Sequence, residues 1–271
     1  MTAGRVGTIV LLTVTSLLVA FPLLLALSYS LMSESDIATF PPRILPPNPS
    51  LDNYGTVQAT IPIGRYLVNS FVVSTAVVVG QLVTASLAAY AFSFLVYPGR
   101  SLLFFIFLST LMIPWEATII SNYITVRSIG WLDSYQGLSV PFMATAFGTF
   151  LLRQAFLQLP HELWDASRID GATSFRFFRT ILLPLSRPAL ATVAIYAFLS
   201  TYNQYFWPLL ITNQPLMRTT QVGITQLRFE ETLRWGLVMA GVIMVALPTL
   251  VLLVLGQRQL IRGLTAGAVK G

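Results

Sequence analysis

The residues of this chain that could do chemistry are few and fall in three places. The densest group is His161, Glu162, Asp165 and Asp170, with Arg168 among them and Arg176 and Arg179 just beyond. An imidazole beside carboxylates suggests proton transfer or metal binding. His161 is the only histidine and there is no cysteine. Disulfides and thiolate metal sites are therefore excluded, and a histidine-based metal site has only one such ligand to draw on. The second group is the run Tyr202-Asn203-Gln204-Tyr205-Phe206-Trp207-Pro208. Amides exchange hydrogen bonds with hydroxyls and rings stack on sugar CH faces, so the run suits a neutral polyhydroxylated solute. It equally suits an interfacial aromatic belt around an amide contact between helices. The third place is Glu116, the one carboxylate inside an apolar stretch, which is a functional candidate by that fact. Its position near the outer end of the stretch also lets it reach water. No G-x-x-x-x-G-K-[ST] pattern occurs, so no phosphate-cradling loop for ATP is present. No catalytic residue and no metal-ligand set emerges.

The elements that position these residues follow from composition. The chain has 271 residues, 55% hydrophobic and 10% charged, with mean hydropathy +0.74. A soluble domain carries about a quarter charged residues, so most of this surface must face something apolar. The charge of +6 is not gathered into a basic run that could track nucleic acid. Charge-free stretches of 28 residues (Arg5 to Glu34), 34 (Arg65 to Arg100), 19 (Asp133 to Arg153), 30 (Arg187 to Arg218) and 23 (Arg234 to Arg258) divide the chain. The stretch from Arg100 to Arg127 is interrupted only by Glu116. About 20 apolar residues span a bilayer as helix. The spacing predicts an all-α membrane protein with six spans near 8–31, 67–96, 101–121, 136–156, 188–210 and 236–256. They form one domain over 1–271, with a first helix, a core bundle over about 66–256, a loop over about 158–187 and a tail over 257–271. The apolar run of the first span is longer than a signal-peptide core, which favours its retention as a helix over cleavage near Ala26-Leu27-Ser28.

With the N-terminus inside, ten Lys and Arg residues lie on the cytoplasmic side and six outside. That is the sense of the positive-inside rule, and it places both termini in the cytoplasm. Two outer segments are long. Residues 33–65 are proline-rich and predict a stiff, extended connection; residues 211–235 are the other. Either they only link helices or they meet an external partner.

The loop over 158–187 is the informative one. Pro160 suits a first helical turn, Glu162 and Asp165 suit the dipole at its N-terminus, and Gly171 breaks the helix. Thr173 or Ser174 can cap a second short helix that Pro184 closes. Leu163, Trp164, Ile169, Phe175, Phe177 and Phe178 give this helix–turn–helix an apolar surface. That surface must be buried on the bundle, in the interface or on a soluble protein.

Here the chain resembles the permease subunits of ABC importers. Their signature reads EAA, three residues, G, nine residues, I-x-L-P. Asp165-Ala166-Ser167, then Gly171, then Ile181-Leu182-Leu183-Pro184 match it in spacing. Asp165 stands for Glu and Ser167 for the second Ala. Ile169-Asp170-Gly171-Ala172, Leu183-Pro184-Leu185, Pro188-Ala189-Leu190 and the glycine-rich end from Gly263 to Gly271 resemble the carbohydrate-uptake, maltose-transporter type. Tyr202-Asn203-Gln204 resembles the W-N-D of that branch, with two of its three positions changed.

The resemblance implies the type I ABC importer fold in a bacterial or archaeal cell membrane. It implies a coupling helix at 162–170 that docks in a separate cytoplasmic ATPase dimer, with Glu162, Asp165, Ala166, Ser167, Asp170, Gly171, Ile181, Leu183 and Pro184 as the coupling set. Asp165 would meet polar or basic groups there, or serve the helix dipole alone. The chain itself is then not an enzyme and holds no cofactor, since ATP and Mg belong to the ATPase. A second homologous permease, an extracytoplasmic solute-binding protein and membrane lipid complete its surroundings. Asn203, Tyr202, Gln204 and Glu116 are the candidates for the solute path of a sugar or related polyol. Gly263, Gly267 and Lys270 either contact the ATPase pair or form a frayed end. An ion-driven secondary transporter is the alternative; it calls for buried carboxylates and inverted repeats, of which only Glu116 qualifies. A membrane-embedded enzyme is the other, and the coupling signature accounts for His161, Glu162 and Asp165 better.

Overall fold

The computed structural model describes residues 3–228 and 234–265. Every regular element among them is helical: α1 (Ala3–Ser30), α2 (Glu34–Ile37), α3 (Asp52–Thr60), α4 (Ile63–Phe94), α5 (Arg100–Ser109), α6 (Trp115–Ser128), α7 (Tyr135–Ser139), α8 (Ala146–Leu157), α9 (Glu162–Ile169), α10 (Ser174–Phe177), α11 (Leu183–Leu185), α12 (Arg187–Tyr202), α13 (Phe206–Ile211), α14 (Thr220–Thr225) and α15 (Trp235–Thr265). Helix is the form in which an apolar segment satisfies its own backbone groups in lipid. Gly7–Ser30, Ile63–Phe94 and Trp235–Gln259 are each long and apolar enough to cross a membrane unbroken.

The remaining three spans are bent pairs. Arg100–Met112 turns by 95° into Trp115–Ser128, Tyr135–Phe142 by 48° into Ala146–Leu157, and Ser174–Leu185 by 78° into Arg187–Tyr202. If each pair is taken as one span, the described residues hold up to six by length and composition, with Ser174–Leu185 forming the approach to the Arg187–Tyr202 part. The expected continuous helices over 101–121, 136–156 and 188–210 are corrected accordingly. Pro114, extended at φ −64 and ψ 137, interrupts the first of these between the 3-10 turn Thr110–Met112 and α6. The 188–210 helix stops at Tyr202. Pro208 lacks an N–H and its ring clashes with the carbonyl four residues back, at Gln204, so the helix ends there and restarts as α13.

Two compact units make up the chain. One contains residues 1–67 with 220–248, the other 68–219 with 249–271. In the first, the 33–62 segment is partly helical rather than uniformly extended, and it is tied to helix ends. The Asn53 side-chain amide donates to the carbonyls of Ser30 and Met32 (3.0 and 2.8 Å), which α1 leaves unpaired at its C-terminus. The Glu34 carboxylate accepts from the N–H groups of Trp235 and Gly236, capping α15 (3.1 and 2.9 Å).

The second unit has two apolar cores. One gathers Tyr90, Phe94, Leu152, Phe156, Phe177, Phe178 and Leu182. The other centres on Val73, Val126, Leu138, Trp207 and Ile211, with Trp115 and Phe142 against it. Trp207 is fully buried and its indole N–H donates to the Gly137 carbonyl at 3.0 Å. A Cβ on Gly137 would stand 2.1 Å from the Trp131 carbonyl oxygen, so only glycine fits there. Residues 257–265, the first part of the expected tail, continue α15 as helix.

Candidate functional site

The loop between α8 and α12 is built from local rules. α9 spans Glu162–Ile169 with Glu162 and Asp165 in its first turn and Arg168 in its last, as the helix dipole favours. Asp170 closes it, and Gly171 then adopts φ +74. In that left-handed conformation the Gly171 N–H donates to the Arg168 carbonyl and the Ala172 N–H to that of Ser167 (3.0 and 2.9 Å). This is the glycine C-terminal stop of a helix. Thr173 is the cap of α10, its hydroxyl accepting from the Arg176 N–H at 3.3 Å.

The second helix continues through Pro184 and ends at Leu185. It runs on as a π-turn over Phe178–Leu182 into Leu183–Leu185. Pro184 withholds the N–H that the Thr180 carbonyl would have taken, and its ring pushes that carbonyl aside, which widens the turn. The 78° bend at Ser186 follows.

The six apolar side chains of this loop divide into two sets. Trp164, Phe177 and Phe178 face the core formed with Tyr90 and Phe94. The Trp164 ring stands 4.8 Å from Phe177, 5.9 Å from Phe94 and 6.5 Å from Tyr90. Ser167, on the same side, is buried and donates to the Trp164 carbonyl at 2.7 Å. Leu163, Ile169 and Phe175 point away, with Ile169 86% and Phe175 65% exposed. Glu162, Asp165, Ala166, Asp170 and Gly171 are also exposed, while Ile181 and Leu183 lie partly buried against the core and Pro184 is half-buried. The loop thus presents exposed apolar side chains together with exposed charges of both signs, Glu162, Asp165 and Asp170 beside Arg168, Arg176 and Arg179, with the Trp164 indole packed on the core behind. Trp164 was legible only as apolar surface; its role as the mount rests on Phe177 of the neighbouring α10 and on Tyr90 and Phe94 of α4, which lie far away in sequence.

The other candidates lie at helix breaks. Asn203 terminates α12, exposed, and its own side-chain amide donates to the Leu199 carbonyl at 2.8 Å. Gln204 is half-buried in the break. Tyr202 is buried and stacks on Phe198 at 5.8 Å. Glu116 is exposed in the first turn of α6, immediately after the Pro114 break, and not near the end of a continuous span. The breaks themselves are brought together: Trp115, Phe142 and Trp207 pack ring to ring at 4.6, 5.7 and 6.0 Å. At the 143–145 break, Gln81 donates to the Phe142 carbonyl and Thr84 to that of Met143 (2.8 and 2.7 Å). Two α4 side chains thereby satisfy carbonyls that the interrupted helix leaves open. Neither residue stood out in the sequence, although polar groups in an apolar run over 63–94 were the available signal.

Gly263 lies within α15, and Gly267 and Lys270 lie outside the described residues. No group of three or more metal-binding side chains occurs among the described residues.

Known proteins share this arrangement over nearly the whole chain. The family described as "Binding-protein-dependent transport system inner membrane component" matches residues 2–260. The sn-glycerol-3-phosphate transport system permease protein UgpE of Agrobacterium fabrum is 38% identical over 270 residues, covering 96% of each chain. Its counterpart in Yersinia pestis bv. Antiqua is 37% identical over 263 residues, covering 94% of each. Among solved structures, a bacterial ABC transporter involved in the import of the acidic polysaccharide alginate superposes with TM-score 0.84 at 23% identity, over 94% of this chain and 95% of that one. A second, of the alginate ABC transporter in complex with alginate pentasaccharide-bound periplasmic protein, gives TM-score 0.67 at 15% identity, over 94% and 93%.

Proposed function

We propose, from the premise that the chain belongs to the family of binding-protein-dependent transport system inner membrane components, that its 158–187 loop couples a solute path to a separate ATPase. The chain is a multi-pass membrane permease of an ABC importer and not itself an enzyme. Our reading puts α9 and the exposed Leu163, Ile169 and Phe175 in a cleft of a cytoplasmic ATPase dimer, where ATP and Mg are held. A second homologous permease would complete the path, and an extracytoplasmic binding protein would deliver the solute. The solute class we assign is a sugar or related polyol, polyol phosphate esters included, as the relatives' sn-glycerol-3-phosphate is one.

The observation that carries this reading is the outward tip of the loop. Apolar side chains as exposed as Ile169 are costly in water and signal a protein partner. Asp165 and Asp170 beside them, with the exposed Arg168 and Arg176, favour a partner with a polar, charged rim. A lipid-facing tip would not carry three carboxylates. The coupling test is a co-purification: Asp165→Lys should weaken retention of the ATPase by the permease in detergent, and normal retention would count against the docking.

The topology we assign has both termini in the cytoplasm. Reporter fusions after Leu45, Pro98, Gly130, Asp170, Val222 and Thr265 should report outside and inside alternately, beginning outside. An external Asp170 would remove the coupling reading altogether.

For the path we assign Asn203, which is exposed at a helix break where its amide can meet hydroxyls. Asn203→Ala should cut uptake several-fold through lost hydrogen bonds of about 1 kcal/mol each. Basal ATP hydrolysis in the same vesicles should persist, because the 158–187 loop is untouched. Parallel loss of uptake and subunit assembly would instead assign Asn203 to helix capping.

A further inference from the structure

We propose that residues 39–46 are seated in the membrane at the headgroup–acyl boundary, and that the groove between them and α1 holds a lipid acyl chain. The segment leaves the end of α1 and is tied back to it. Asn53 and the Ser50 N–H both bond carbonyls at the C-terminus of α1. Between those ties the chain doubles back along α1. The Ser28 hydroxyl donates to the Ile44 carbonyl, and Ile44, Leu45 and Pro46 form one wall of a groove whose other wall runs from Phe21 to Leu31. Ten residues of helix separate those two, or about 15 Å. The Ser28–Ile44 contact sets the loop beside the last turn of α1, two residues before the end of the helix and not above it. The groove encloses about 390 Å³ and is almost wholly apolar.

Irregular backbone is costly at such a depth because its N–H groups lose water. This segment lowers that cost by composition. Three of the eight residues from 39 to 46 are proline, which has no N–H to satisfy, and the Thr39 N–H donates to the Asp36 carbonyl. Its one cation is held by an ion pair, Arg43 to Asp36 at 3.1 Å. Its apolar side chains are bare, with Phe40 96% and Leu45 77% exposed. An aromatic ring and an arginine beside aliphatic side chains are the residues that settle at the interface.

Lipid, rather than protein, is the occupant because of α1. Ile9, Val10, Leu11 and Leu12 are exposed, as are Leu17, Leu18 and Val19. Consecutive helical residues point about 100° apart, so these runs leave α1 bare around most of its girth. A neighbouring helix covers one stripe, and the rest meets acyl chains. The groove opens on that same surface through Phe21, Leu24 and Leu27.

The absence of cysteine makes the test direct. Single variants Leu45→Cys, Leu24→Cys and Leu51→Cys, labelled with bimane, are placed in the assembled transporter in phosphatidylcholine vesicles. The vesicles either carry bromines at acyl carbons 6 and 7 or do not. Quenching by bromolipid at position 45 should be at least about twofold that at position 51 and comparable to that at position 24. Quenching at 45 no greater than at 51 overturns the proposal: strong iodide quenching would then place the loop in water, and protection from both quenchers would place it under another subunit.

Discussion

Gly171→Pro should reduce solute uptake to background while the subunit remains in the membrane. Gly171 sits at φ +74, a region closed to proline, whose ring fixes φ near −65°. Its N–H donates to the Arg168 carbonyl, and proline has none to give. Proline would also push Asp170 out of its present φ −69, ψ 0 toward extended backbone. Together these cost about 3 kcal/mol or more and would re-aim the whole of α9. The informative companion is Gly171→Asn. A Cβ at this position meets nothing within 4 Å, and asparagine tolerates the left-handed region. If glycine is needed only for the turn, the Asn variant should keep roughly half of uptake or more. Loss of uptake in Gly171→Asn with normal membrane abundance would show that a partner's backbone packs against the glycine itself. Vesicle uptake measured beside immunoblots of the membrane fraction separates these results.

The two sides of that argument differ in how far they could be read from the sequence. Charge-free stretches located every span, because a helix in lipid must be long and uncharged to be stable. The same stretches could not reveal the bends. Hydropathy reports length, and a 95° turn at Pro114 leaves the count of apolar residues unchanged. The signals for two breaks were nevertheless present as prolines: Pro114 in the third span, and Pro208, which stops α12 by disturbing Gln204. Asn203 and Gln204 were consequently expected on a continuous helix, whereas they occupy its end. The break at 143–145 follows Pro141, which sits in the short turn before it. It depends on Gln81 and Thr84 reaching across from α4, a tertiary contact that local sequence does not encode. In the 158–187 loop the local signals were strong: an acidic first turn, a glycine stop and a threonine cap all acted where the residue types predicted. What stayed hidden was the direction of each apolar side chain, which separates the indole that mounts α9 from the isoleucine and phenylalanine left outside.

Trp164→Ala should therefore uncouple the transporter more than it unfolds it. α9 has only eight residues, and a helix that short is not stable on its own. Its position depends on the Trp164 ring among Phe177, Phe94 and Tyr90, with the buried Ser167 filling the space beside it. Truncating a buried tryptophan costs about 3 kcal/mol, and the partial exposure of this one puts it at the low end of the usual range. The loss falls on the α9 attachment, since Phe177, Phe178 and Leu182 still close the core beneath. If half of that energy is what transmits ATPase movement to the bundle, uptake should fall about tenfold. Membrane abundance should change less than about twofold, because the spans themselves keep their packing. ATP hydrolysis by the assembled complex should fall less than uptake, raising the ATP consumed per solute. Trp164→Phe retains an aromatic ring facing Phe177 and should restore most of the ratio. The decisive quantity is that ratio, measured in proteoliposomes with uptake and phosphate release followed together. A Trp164→Ala subunit with wild-type uptake per ATP would mean that α9 is positioned by the ATPase after docking and not by the indole behind it.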